Sequence, residues 1–341
     1  MEKLATETLQ QIFEHACTDG GYTGCSLSLT STSIRKVARP VRFFSVALIL
    51  WTHSVNAFLA LYKKECSVAS GTRPKLAHLC LSDFREDSSI DDDPESWEVI
   101  TPDHSDVLTA TRHLLALVGD GLKSLVIDRA FVYPGHTLVD RQFPSLRELT
   151  CLGYCHPSLL DVPRGVYPLF PALKRLHVVA GEELRNKPLI PQWATHAPHL
   201  THLRISARHL SDIFLDEISE IVEAASDSRH DPLDTTVDAS SAGRTFPRLA
   251  RVVVQPGPRP VKGACRTSRS EFSSMLSELH EFADDATQAG LELFALSPCE
   301  WSKRQWNEEI RAEWVKMISG EDGCDWFSDE ESEDESEGSK T

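Results

Sequence analysis

The residues of this chain that could do chemistry are few, and their spacing argues against each in turn. Cys151 and Cys155 form the only close pair among nine cysteines, whereas a structural zinc site uses two such pairs. His199 and His202 stand three apart on a predicted strand, so they point to opposite faces and do not converge on a metal. His104, Ser105 and Asp106 set the residue types of a hydrolytic triad side by side, but triads assemble in space from separated positions. Residues 17–25 are glycine-rich enough to suggest a phosphate loop. No Lys-Ser/Thr pair follows them and no strand precedes them, so they read as a turn. Neither His-Glu-x-x-His nor Gly-x-Ser-x-Gly occurs. The expectation is a protein without enzymatic activity, metal or cofactor, its unpatterned cysteines reduced and buried.

What remains is recognition, and charge narrows its kind. The formal net charge of the 341 residues is -16. Ten acids and one lysine in 321–341 account for -9 of it, which leaves -7 for the rest. No basic stripe is visible, so nucleic acid is not an expected partner. The N-terminus turns polar too soon for a signal peptide. Residues 41–62 are apolar, but Arg42, His53 and Asn56 interrupt them, at a cost a membrane span would not tolerate. A strand over 42–50 followed by an amphipathic helix explains them better, with Val55, Phe58, Leu59 and Tyr62 on one face. No membrane partner is expected, and the compartment is expected to be cytoplasmic, nuclear or both.

The elements that would carry a recognition surface come from a repeat. A phrase close to Phe-Pro-x-Leu-x-x-Leu-x-Val begins at Phe143, at Phe170 and at Phe246, with Ala197 opening another copy. Two looser copies run from Pro74 to Leu81 and from Leu122 to Ile127. The first leucines fall at 76, 122, 146, 173, 200 and 249, with gaps of 46, 24, 27, 27 and 49. Three gaps match the 20–29 residues of a leucine-rich repeat, and the two long ones need a degenerate unit or an insertion. The last two apolar positions of each copy are two apart, which puts them on one face of a strand. One such unit cannot bury that face alone, so neighbours must stack.

The fold expected is α/β, an irregular leucine-rich-repeat solenoid with a curved parallel sheet over residues 51–300. Solvent-facing positions between the leucines would line the concave side: Arg147, Glu148, Lys174, Arg175, His177, Thr201, His202, Arg204, Arg248 and Arg251. From these, Arg147, Lys174, Arg175, His177, His202, Arg204 and Arg251 are the expected contacts to a protein target. The usual Asn or Cys after the third apolar position is replaced by Phe84, Ala130, Tyr154, Gly181, Arg208 and Gly257, so the turns should be irregular. Helical stripes at 107–118, 214–225 and 272–283 supply the convex side, the second capped by Ser211 or Asp212. A last strand over 291–296 and a tryptophan-rich helix over 301–320, with Trp306, Ile310 and Trp314 on one face, should cap the end.

Residues 1–50 carry two short amphipathic stripes, Leu9, Ile12, Phe13 and Ala16, then Ile34, Val37, Ala38 and Val41. So small a module needs a partner or the repeats to be stable. Residues 4–13, LATETLQQIF, resemble the opening of an F-box; residues 27–34 are similar to its second helix and 39–46 to its exit strand. Ala5, Thr30 and Ile34 stand where that family has proline, valine and tryptophan. The loop at 17–21 and Gln255-Pro256-Gly257-Pro258 resemble F-box-like proteins of mushroom-forming fungi. The resemblance implies a Skp-type adaptor held by Leu4, Leu9, Ile12, Phe13, Leu27, Leu29 and Ile34, with a cullin–RING ubiquitin ligase behind it. The alternative is a leucine-rich-repeat interaction scaffold with no ligase role. Three acidic or polar segments, 82–103, 226–245 and 321–341, read as flexible. Ser328 and Ser332 in the last have an acid three positions on and are phosphorylation candidates.

Overall fold

Each copy of the phrase becomes one strand of a single sheet. The computed structural model describes residues 4–67, 73–82, 103–128, 141–152, 168–180, 190–207, 212–230, 246–260, 266–299 and 303–320. Three helices come first, α1 (Thr6–Ala16), α2 (Tyr22–Thr30) and α3 (Thr32–Ala38), then strand β1 (Ser45–Ile49) and helix α4 (Thr52–Ser67). The six copies supply β2 (His78–Ser82), β3 (Ser124–Asp128), β4 (Glu148–Leu152), β5 (Arg175–Ala180), β6 (His202–Ala207) and β7 (Arg251–Pro256). Between them run α5 (Asp103–Val118), α6 (Ile190–His196) and α7 (Asp212–His230). The last elements are α8 (Arg266–Gln288), β8 (Glu292–Ala295) and α9 (Lys303–Ser319). The eight strands lie in chain order, every neighbouring pair parallel, and the sheet is open.

The register aligns the phrase with itself. Leu79, Leu125, Leu149, Leu176, Leu203, Val252 and Leu293 are partners across the sheet, as are Leu81, Ile127, Cys151, Val178, Ile205, Val254 and Ala295 two positions on. The leading leucines 76, 122, 146, 173 and 200 stack beside them, at most 3% exposed. Burial of a column two residues deep per strand is what the period of two requires. Helices α4, α5, α7 and α8 close this face: Val55, Leu114, Ile218 and Leu279 all belong to its core.

The proline of the phrase lies in a turn ahead of the strand. Leu146 N–H donates to Phe143 O, Leu173 to Phe170, Leu200 to Ala197 and Leu249 to Phe246, at 3.1–3.3 Å. Each of these four copies therefore opens on a β-turn with proline at its second position, where the ring presets φ and no donor is needed. The aromatics at the head of two copies join a spine. Phe143 lies 5.9 Å from Phe170, and Phe170 stacks at 5.8 Å on Trp193 of α6.

The two long gaps are insertions, because β2 pairs directly with β3 and β6 directly with β7. Helix α5 fills part of the first and α7 part of the second. The three expected stripes are helices, but α7 continues to His230, so residues 226–230 are helical rather than loop. Residues 83–102 and 231–245, Ser211, Cys155 and the tail with Ser328 and Ser332 lie outside the described residues, as do five of the six turn positions, Gly257 excepted. Helix α6 has no counterpart in the sequence reading: seven residues with a proline second are too short for a periodic signal. His199 sits in a turn rather than on a strand. No helix among the described residues is long and apolar enough to cross a membrane.

Leu173→Ala should destabilise the protein by about 3 kcal/mol, since its site is fully buried and mid-column. Leu249→Ala, at a half-buried rung, should cost less than about half of that. Denaturant midpoints compare the two directly, and equal losses would contradict the column.

Candidate functional site

Two surfaces hold the residues singled out by the sequence. The first is the N-terminal module. It has three helices where two stripes were read, because the turn is short: Gly20 and Gly21 take positive φ and α2 begins at Tyr22. Asp19 fixes that start, its carboxylate accepting from Gly21 N, Thr23 N and Thr23 Oγ1 at 2.6–3.2 Å. Ser31 caps α3 by accepting from Ile34 N at 3.1 Å. Strand β1 starts at Ser45, three residues later than expected, because residues 39–43 form turns.

The module is fastened to the sheet edge. Ala47 N–H of β1 donates to Gly20 O at 3.0 Å, and Ser45 Oγ, fully buried, accepts from Gly20 N and donates to Cys17 O at 2.7 Å. Arg39 and Arg42 both bind Glu65 of α4, at 2.9 and 2.7 Å. Burial pushes that carboxyl up, but the two guanidiniums outweigh it and hold it below the usual range. Burial also raises the Cys17 thiol to about 11, which makes it an inert core group. Among the described cysteines none is in a disulfide.

The seven adaptor candidates divide into two sets. Phe13, 8% exposed, packs with Ala38 and Val41 in the module's own core, and Leu9, Leu27 and Ile34 lean into the same cluster. Phe13 is thus an internal residue and not a surface anchor. Leu4, Ile12 and Leu29 are 56%, 48% and 80% exposed. Tyr22, which the sequence reading passed over, is 68% exposed. It lies seven positions before Leu29 on α2, hence on the same helical face, with Cys25 exposed between them.

The second surface is the sheet face opposite α4–α8. It was expected to meet solvent, and at its centre it does not. Helix α9 lies across it instead of capping the end: Ile310 and Trp314 pack with Cys80, Val126 and Leu152, and Ala47 and Val179 join the cluster. Trp314 Nε1 donates to Ser124 Oγ at 3.1 Å. His78 Nδ1 meets the same hydroxyl at 2.8 Å. Of the target candidates, His177 is 1% and Arg204 5% exposed, which corrects their reading as solvent-facing.

These polar groups survive burial because they satisfy one another. Ser206 Oγ donates to Gln255 Oε1 at 3.2 Å, and Arg204 donates to the same oxygen at 2.9 Å. With its proton so committed, Ser206 Oγ accepts from His177 Nε2 at 3.0 Å. A nucleophilic serine would need the opposite direction, its proton shared with the imidazole. The pair is structural. Burial, then the charge of Arg204, pushes His177 well below the ordinary imidazole range. His78 is driven down to about 4 by burial and by Lys123 and Lys75.

The remaining target candidates gather at the N-terminal ends of the strands. Arg175, His202 and Arg251 are register partners on three adjacent strands. Arg175 pairs with Glu148 and Arg251 with Glu292 along the same row. Burial raises the Glu148 carboxyl despite its partner Arg175. Arg147 and Lys174, one position earlier, are exposed. No group of three His, Cys, Asp or Glu suited to a metal occurs among the described residues. Compared with known families and with curated proteins, the chain matches none.

Proposed function

We propose that this protein is the substrate-recognition subunit of an SCF-type cullin–RING ubiquitin ligase. Its F-box-like module docks a Skp-type adaptor, and its leucine-rich-repeat solenoid holds a protein target. One observation carries the reading: a helical module fixed to the sheet keeps Leu4, Ile12, Tyr22 and Leu29 in solvent although its own core is complete. Apolar side chains displayed on a helix suit a groove on another protein. Strands in chain order, one per phrase, support the solenoid part of the reading. The target would meet Arg147, Lys174, Arg175, His202 and Arg251 at the strand starts.

Co-purification with a recombinant Skp-type adaptor tests it. Ile12→Asp and Leu29→Asp should each weaken capture by about 30-fold, the size of a hot-spot loss, with unchanged melting. Phe13→Asp is no test, because a charge in that core unfolds the module. No capture by the parent chain, or equal capture by both variants, removes the ligase role and leaves a free-standing interaction scaffold.

A further inference from the structure

We propose that the sheet face opposite α4–α8 is a docking surface for an amphipathic helix bearing a carboxylate directly followed by a bulky aromatic, and that α9 is the chain's own occupant of it. The proposal rests on the receptor reading for its biological sense and adds to it the class of partner. Its structural basis is independent of the adaptor.

Three observations point to an exchangeable occupant. First, the sheet's main core is complete without α9. The apolar cluster of α9 lies on the other face and is separate from the one formed by the leucine columns and α4–α8. Second, the polar groups beneath α9 are bonded mainly to one another: His177 to Ser206, Ser206 to Gln255, Arg204 to Gln255. When the helix departs, the bonds lost beneath it are those of Arg204 to Glu313 and of Ser124 to Trp314.

Third, α9 uses the key cation poorly. Both carboxylate oxygens of Glu313 reach one guanidinium nitrogen of Arg204, at 3.2 and 3.3 Å. Charge-assisted pairs of this type are shorter, about 2.7–2.9 Å, and strongest when two donors meet two oxygens. The Nε of Arg204 is buried and has no hydrogen-bond partner among the described residues. A carboxylate placed to take Nε and a terminal nitrogen together would bind this arginine better than Glu313 does. Beside it, Trp314 occupies the apolar floor of Cys80, Val126 and Leu152 and reaches Ser124. Carboxylate then aromatic, on consecutive helical positions, is the pattern the face selects.

A tethered helix acts at a millimolar effective concentration, so a partner in trans must compete with it. The probe is a fluorescein-labelled peptide of residues 303–319, titrated into the full chain and followed by anisotropy. A full chain carrying Ile310→Ala and Trp314→Ala should bind it at least about tenfold more tightly than the parent does. The same peptide with Glu313→Lys should lose this gain, as should the peptide on a chain that also carries Arg204→Gln. Equal affinity for parent and variant overturns the proposal. So does loss of the variant's cooperative melting, because α9 is then an obligatory part of the fold. Native-state hydrogen exchange on the parent decides the matter without a variant. The amides of α9 should open ahead of β3–β6, and opening in step with those strands overturns the proposal. Adaptor capture should be unchanged throughout, so failure here is distinct from failure of the ligase reading.

Discussion

Gly24→Ala should destabilise the N-terminal module by about 3 kcal/mol, the upper end of the range for overpacking. A Cβ built on Gly24 meets Arg42 O at 1.9 Å and Arg42 C at 2.8 Å. The obstacle is backbone, so no rotamer change relieves it. Helix α2 must back away from residue 42, and that separates it from the link to β1 and from the Arg42–Glu65 pair. Because α2 presents Tyr22 and Leu29, the variant should lose the proposed adaptor capture along with stability. Gly121→Ala is the matched control. Its nearest neighbour would be Leu76 O at 4.0 Å, so that variant should melt within about 0.5 kcal/mol of the parent. Urea titrations that show the two variants alike would mean that the close approach of α2 to Arg42 is absent in solution.

Acidification should weaken the fold by several kcal/mol as the pH falls from about 6.5 toward about 4. His78 and His177 are neutral in the folded chain, and each would take up a proton near pH 6.5 once unfolded. The unfolded state thus binds more protons below that pH. Stability is fully present above about 6.5 and falls as the pH drops toward each folded-state value. For His78 the window closes at about 4. Its share over that span is about 3 kcal/mol, at about 1.4 kcal/mol per pH unit. His177 adds a loss of the same sign, and Glu148, raised by burial, works in the opposite direction nearer the carboxylate range. The urea midpoint should therefore drop between pH 7.5 and about 5.5, and His78→Gln with His177→Asn should flatten the slope. A pH-independent midpoint in the parent would show that these imidazoles are not held neutral. Both lie under or beside α9, so acid should also loosen that helix through Ser124 and Arg204.

Much of the architecture was legible because it is written locally. The spacing of two between Leu149 and Cys151, or Leu176 and Val178, fixes a strand and its buried face whatever lies around it. Six recurrences fix the order, since short right-returning units place each strand beside the last. The stripes at 107–118 and 272–283 are equally local, and both are helices. Where the signal is short or the contact distant, the sequence fell silent. Seven residues of α6 carry too little periodicity, and Gly24 looks like one more turn glycine because the backbone it makes room for is 18 positions away. Within 4–41 the stripes mark which residues are apolar, but not that Phe13 turns inward while Ile12 and Leu29 turn out.

By itself, then, the sequence determined six parallel rungs and a last strand after them, their leucine columns and the longer helices behind them. Only the tertiary structure decided what lies on the other face. A polar side chain between two leucines is compatible with water or with burial, provided its hydrogen bonds are met. For His177 the partner is Ser206, and for the two terminal nitrogens of Arg204 they are Gln255 and Glu313, from strands and a helix up to 109 positions away. An amphipathic stripe such as Ile310 and Trp314 states that it must be covered, and not by what. Local periodicity fixes which way a side chain points; long-range packing fixes what it meets there.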